Sequence, residues 1–103
     1  MNRLILKYPW ILKKLYPKRL SRITAKKTLF LTFDDGPIPE ITPWVLDLLE
    51  KYSAKATFFC IGDNVRKHPE VFEQIKTKGH AFGNHSFNHF DGWKTKTSDY
   101  IEN

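Results

Sequence analysis

The sequence predicts an α/β fold with parallel strands, and three observations carry that prediction. Short apolar runs rich in aromatic and β-branched residues recur at TLFLTF (28–33) and ATFFCI (56–61), with HAFGN (80–84) as a third, shorter candidate. The first two lack the apolar–polar alternation of a half-solvated strand, so they read as strands buried on both faces. Between the runs lie stretches with helical periodicity and helix start signals. Strands that alternate with helices imply parallel pairing.

The elements follow in order. After TLFLTF, the residues Gly36-Pro37 and Pro39 break the strand into a loop. In ITPWVLDLLEKY, Thr42 is a good N-cap and Pro43 suits the first helical position. Ile41, Trp44, Val45, Leu48, Leu49 and Tyr52 then fall on one helical stripe. Past the second strand, Pro69 opens another helix. Val71, Phe72 and Ile75 form its inward side, and Gly79 is its stop. The final WKTKTSDYIEN reads as the start of a helix.

A chain of 103 residues accommodates one small domain. Its 41% hydrophobic and 27% charged residues are a globular composition, neither disordered nor fibrous. Cys60, the one cysteine, precludes an internal disulfide; its neighbours Phe58, Phe59 and Ile61 predict a buried, inert thiol. The net charge of +6 is unevenly placed. Residues 1–27 hold nine Lys/Arg and no acid, whereas residues 28–103 hold eight Lys/Arg against eleven Asp/Glu. The basic character belongs to an N-terminal arm, which argues against a nucleic-acid-binding body. Lys7, Pro9, Lys13 and Lys14 interrupt the arm's apolar residues, so no signal-peptide core and no membrane span is legible there. Two readings of the arm stand: a basic, aromatic segment in peripheral contact with an anionic membrane face, or one that packs Trp10, Leu12 and Tyr16 onto the body.

Two stretches carry chemistry. LFLTFDDGPIPE (29–40) runs apolar residues straight into Asp34 and Asp35, and GNHSFNHF (83–90) sets His85 and His89 four apart. In parallel α/β folds reactive residues collect past the C-terminal ends of strands, which places both stretches at one rim. Two imidazoles and one carboxylate are a common ligand set for a catalytic divalent metal, with a position left for water. Zinc suits this mixture best, with cobalt, nickel and iron open. A helical segment would bring His85 and His89 onto one face. A turn at Gly36 would let the neighbouring carboxylates diverge, one toward the metal and one toward the water. Taken singly, an Asp-Asp-Gly-Pro stretch is a plain turn and a spaced histidine pair is ordinary surface or core. His68, before a proline at a helix start, and His80, after the Gly79 stop, read as structural.

LTFDDGP, then ATFFCIGDNV, then HPEVFEQIKTKGHAFGNHSFNH together resemble the polysaccharide deacetylase family, the NodB-homology carbohydrate esterases, over about residues 28–90. The resemblance implies residues 28–103, which follow the basic arm of residues 1–27, as the N-terminal portion of a distorted (β/α) barrel. It implies Asp34 as general base and Asp35, His85 and His89 as metal ligands. It further implies hydrolysis of N-acetyl or O-acetyl groups on a glycan such as chitin oligomers or peptidoglycan, and a place in the bacterial cell envelope. The family's later motifs, an Arg-Pro loop and a late histidine acid, do not occur before Asn103. The expectation is therefore the front part of a deacetylase. The competing expectation is an inactive remnant or a carbohydrate-binding fragment that stacks sugar on Phe87, Phe90 or Trp93. Phosphoryl transfer by an aspartyl nucleophile fits poorly, because haloacid-dehalogenase-type enzymes space their two aspartates two apart.

Overall fold

The three apolar runs form three strands that pair in parallel. A computed structural model describes residues 10–18 and 25–103, with the side chains of residues 12 and 13 outside that description. The element order is α1 (Trp10–Leu15), β1 (Leu31–Asp34), α2 (Ile41–Lys51), β2 (Ala56–Cys60), α3 (Gly62–Lys67), α4 (Pro69–Thr77), β3 (Ala81–Asn84) and α5 (Thr97–Glu102). The sheet order is β1-β2-β3. Phe33 pairs with Phe58 and Phe58 with Phe82, so one sheet face presents an aromatic row. Phe33 stacks on Phe58 at 5.2 Å between centroids.

Helices α2 and α4 pack against one another over that face. Leu46, Leu49, Ala56, Phe58, Cys60 and Ile75 form the buried cluster, and Phe33, Val45, Val65 and Phe72 pack against it. Leu46 and Ile75 are completely buried. Side chains of that kind contribute roughly 1.5–3 kcal/mol each on burial. The buried Cys60 thiol is raised in pKa by desolvation, as expected of an inert core cysteine.

β2 comes nearest to the predicted burial on both faces, with Ala56, Phe58 and Cys60 buried and Thr57 and Phe59 partly so; β1 and β3 are largely exposed. Among the described residues each of these two strands pairs on one side only, and α2 and α4 cover one face of the sheet. Residues 28–30 of the predicted strand lie outside it, with Leu29 and Phe30 exposed. Helix α2 differs in rotation from its predicted stripe. Its buried residues are Thr42, Leu46 and Leu49, while Trp44 and Tyr52 stay 63% and 69% exposed. Thr42 is not the N-cap. It sits inside the first turn, where its Oγ1 accepts a hydrogen bond from Ile38 N at 2.8 Å. α4 starts at Pro69 as predicted, and Gly79 follows it with φ 76°, a left-handed conformation natural to glycine past a helix end. α3 was not legible in the pattern, and α5 begins at Thr97 rather than near Trp93.

His80 is structural, as its position after Gly79 predicts. It is 7% exposed, and its Nδ1 accepts a hydrogen bond from Ala56 N at 3.2 Å where β2 begins. That role requires a neutral imidazole. Burial first, then the Lys55 and Lys78 charges, pushes its pKa down. The unfolded chain therefore takes up this proton at a higher pH than the folded one. Stability from this residue is complete above the ordinary imidazole value of about 6.5 and declines as the pH falls toward the lowered folded value. Urea midpoints across pH 7 to 5 should fall for the parent. His80→Phe should remove part of that slope, and an unchanged slope would refute the assignment.

In the arm, Trp10 and Tyr16 are 72% and 58% exposed, so they do not show the predicted packing onto the body. The Leu12 side chain lies outside the described residues. No helix among the described residues is long and apolar enough to cross a membrane.

Candidate metal centre

Because the three strands run in one direction, their C-terminal ends share one edge of the sheet. β1 ends on Asp34 and β3 on Asn84, so the next residues at that edge are Asp35 and His85. Topology alone thus brings the carboxylate stretch and the imidazole stretch to the same rim, on either side of β2.

The local backbone then aims the side chains. Asp35 has φ 69°, in the left-handed region, and this residue, rather than Gly36, changes the chain's direction after β1. Gly36-Pro37 follows with a cis peptide bond. Ile61 N donates to Gly36 O at 2.9 Å, and Asn64 Nδ2 donates to Asp35 O at 2.8 Å. On the other side, His85 N donates to Cys60 O at 2.9 Å, which extends the β2–β3 pairing one step. The segment 85–89 is not helical, so the spacing of four does not act through one helical face. Ser86 and His89 have φ 61° and 55°, and His89 N donates to Ser86 Oγ at 3.0 Å. The imidazoles meet by this turn, with ring centroids 4.8 Å apart. Three non-glycine residues in left-handed backbone at one place is strain of the kind that collects at functional sites.

The converging atoms are few and close. Asp35 Oδ1 lies 3.2 Å from His85 Nε2 and 3.4 Å from His89 Nε2. Ligand atoms of the three residues all lie within 4.8 Å of one another. Zinc bound at about 2.0–2.1 Å in a tetrahedron separates its ligand atoms by about 3.3 Å. The donor set and its spacing therefore fit one divalent cation. Half-buried His85 and exposed Asp35 and His89 leave the site open to water. Asp34, the last residue of β1, is adjacent in the chain but is not among the three converging donors.

α3, which carries no apolar periodicity in the sequence, joins the two loops. Gly62 N and Asp63 N at its start donate to Ser86 O and Phe87 O, both at 3.0 Å, while Asn64 holds Asp35. Glycine at position 62 allows this close approach, since a Cβ there would come within 2.5 Å of the Phe87 ring and push it aside. Lys67 and then Arg66 hold the Asp63 carboxyl below its usual pKa, and Arg66 lies 5.3 Å from the Phe87 ring centroid. A signal for these residues was present. They follow the C-terminal end of β2, at the same rim as the other two stretches. Of the aromatics considered for sugar stacking, Phe87 is engaged in this packing, Phe90 is partly exposed and Trp93 is 99% exposed.

Comparison with known proteins agrees with this architecture. The family model for polysaccharide deacetylase matches residues 21–103. A peptidoglycan-N-acetylglucosamine deacetylase of Bacillus cereus is 39% identical over 93 residues, covering 90% of this chain and 33% of that protein. A chitooligosaccharide deacetylase of Azorhizobium caulinodans is 46% identical over 70 residues, covering 67% of this chain and 33% of the relative. Among solved structures, the Bc1960 peptidoglycan N-acetylglucosamine deacetylase superposes with a TM-score of 0.67 at 42% identity, covering 71% of this chain and 34% of that one. The peptidoglycan deacetylase PdaC from Bacillus subtilis gives 0.66 at 38% identity, covering 71% and 36%. The chain spans about a third of the length of the relatives it matches. With a family model matched over most of its length and an α/β parallel sheet shared with solved deacetylases, this chain belongs to the polysaccharide deacetylase family.

Proposed function

We propose that this chain carries the metal-binding half of a hydrolytic site that removes acetyl groups from a bacterial cell-envelope glycan. The observation that carries the reading is the convergence of Asp35, His85 and His89, one residue beyond Asp34, at the C-terminal edge of a parallel sheet. Relatives named as peptidoglycan and chitooligosaccharide deacetylases support an N-acetylated sugar polymer as the substrate class. Asp35, His85 and His89 would hold a divalent cation, with zinc the best match to two imidazoles and a carboxylate. When bound, such a cation supplies Lewis acidity to an acetyl carbonyl and lowers the proton affinity of a water. Asp34 acts as the general base that takes the proton of the attacking water. Asn64 and the start of α3 hold the two loops in register, so these groups need no rearrangement as the reaction proceeds. The products are acetate and a free amine on the glycan.

The test is acetate release from N-acetylated chitooligosaccharides and peptidoglycan fragments by the full protein. Release should stop on chelation and return with added zinc. Trp93 favours one competing outcome, because a fully exposed indole can stack on a sugar ring. Glycan binding with no acetate release under any metal would support the non-catalytic reading instead.

For residues 1–27 the proposal is peripheral contact with an anionic membrane face. Nine basic residues and no acid accompany the exposed Trp10, Ile11, Leu15 and Tyr16. Deleting residues 1–20 should reduce sedimentation with phosphatidylglycerol vesicles and leave the low binding to phosphatidylcholine unchanged. Equal partition of both forms would reject the membrane role.

A further inference from the structure

The loop carrying the two imidazoles has a second support besides α3. Helix α5 leads into Asn103, which is half-buried. Phe87 N donates to the Asn103 main-chain oxygen at 2.7 Å, and Asn88 N donates to Asn103 Oδ1 at 2.9 Å. In return, Asn103 Nδ2 donates to Asn88 Oδ1 at 2.9 Å. The main-chain N–H of Asn88 can only donate, so the atom facing it must be the amide oxygen. That assigns the Asn103 amide orientation independently of the side-chain pair. The Tyr100 ring lies against Gly92, which closes the segment between loop and helix into a strap.

These contacts fall on Phe87 and Asn88, the residues immediately before His89. The loop has no repetitive backbone structure, and its two left-handed residues, Ser86 and His89, hold their conformation only while the surroundings enforce it. We propose that Asn103 is a positioning residue for the metal ligands: it latches the 85–89 loop so that His85 and His89 meet Asp35 before a cation arrives. This deepens the metal-site proposal and rests on it. A loop that must be ordered at the moment of binding weakens affinity by that ordering cost, whereas a latched loop does not.

The test is zinc titration of the full chain by calorimetry, alongside thermal melting of the metal-free forms. Asn103→Ala should weaken zinc about 10–100-fold, the usual effect of losing an outer support of a metal ligand. Its metal-free melting temperature should stay close to the parent's. Asn103→Asp keeps the acceptor for Asn88 N and should recover part of the affinity. Asn88→Ala added to Asn103→Ala should weaken zinc no further, since the two side chains share one contact. Zinc affinity equal to the parent in folded Asn103→Ala overturns the latch alone. A parent chain that binds no zinc overturns both the latch and the metal site. If Asn103→Ala does not fold, Asn88→Ala decides: several-fold weaker zinc supports the latch, and unchanged affinity overturns it.

Discussion

Replacing either His85 or His89 with alanine should take zinc binding from about one equivalent per chain to none. The centre offers three protein donors, and Asp35 Oδ1 lies within 3.4 Å of both imidazoles, so neither ring is peripheral. Two remaining donors make a poor site, because catalytic zinc sites rely on three protein ligands beside a water. The substitutions open no core cavity, since neither histidine belongs to the buried cluster. The metal-free melting temperatures should therefore stay near the parent's, and the loss can be read as a loss of ligands. Calorimetry with metal analysis of the dialysed protein is the measurement. Unchanged stoichiometry in both variants would reject the centre, and with it the deacetylase mechanism proposed above.

The two adjacent carboxylates should separate cleanly. Asp35→Asn should release zinc, because it removes the anionic donor that faces both imidazoles. Asp34→Asn should keep zinc and lower acetate release by about 10²–10⁴-fold, the usual scale for loss of a general acid–base group. The structure gives the asymmetry a physical basis. Asp34 still belongs to β1 and is paired in register with Phe59, whereas Asp35 lies past the strand with φ 69° and its carbonyl held by Asn64. If Asp34→Asn loses the metal and Asp35→Asn retains it, the two roles are exchanged.

Much of this was legible in the residues. Pro69 and Gly79 bound α4 because proline fits a first helical turn and glycine accepts a left-handed φ. ATFFCI announces a central strand, and β2 lies between β1 and β3 with Ala56, Phe58 and Cys60 buried on one face and Thr57 and Phe59 half-buried on the other. TLFLTF reads the same way, yet among the described residues β1 pairs only with β2 and Leu31 is exposed, since the number of neighbours is a property of the sheet and not of the run. Helix α2 presents a wide apolar arc. Leu46, outside the predicted stripe, became its wholly buried residue. Trp44, Leu48 and Tyr52 instead line an apolar groove of about 370 Å³ beside Leu31. Periodicity shows that a helix has an apolar side, but only docking chooses the angle at which that side is used. α3 escaped notice because GDNVRK has a single apolar residue, Val65, and its work is done by main-chain N–H groups and Asn64.

The strand–helix alternation, the family resemblance and the residue types gathered at the strand ends are all written in the order of the amino acids. Those depend on local propensity and on the direction that parallel pairing imposes. Assembly of the fold settles that His85 and His89 meet through a turn instead of a helical face, that Asp35 carries the left-handed backbone, and that α3 and Asn103 both hydrogen-bond the loop. The physical reason is that left-handed backbone at non-glycine residues is unfavourable in isolation. It persists where hydrogen bonds from distant parts of the chain hold it, and those partners become neighbours only when the sheet has assembled.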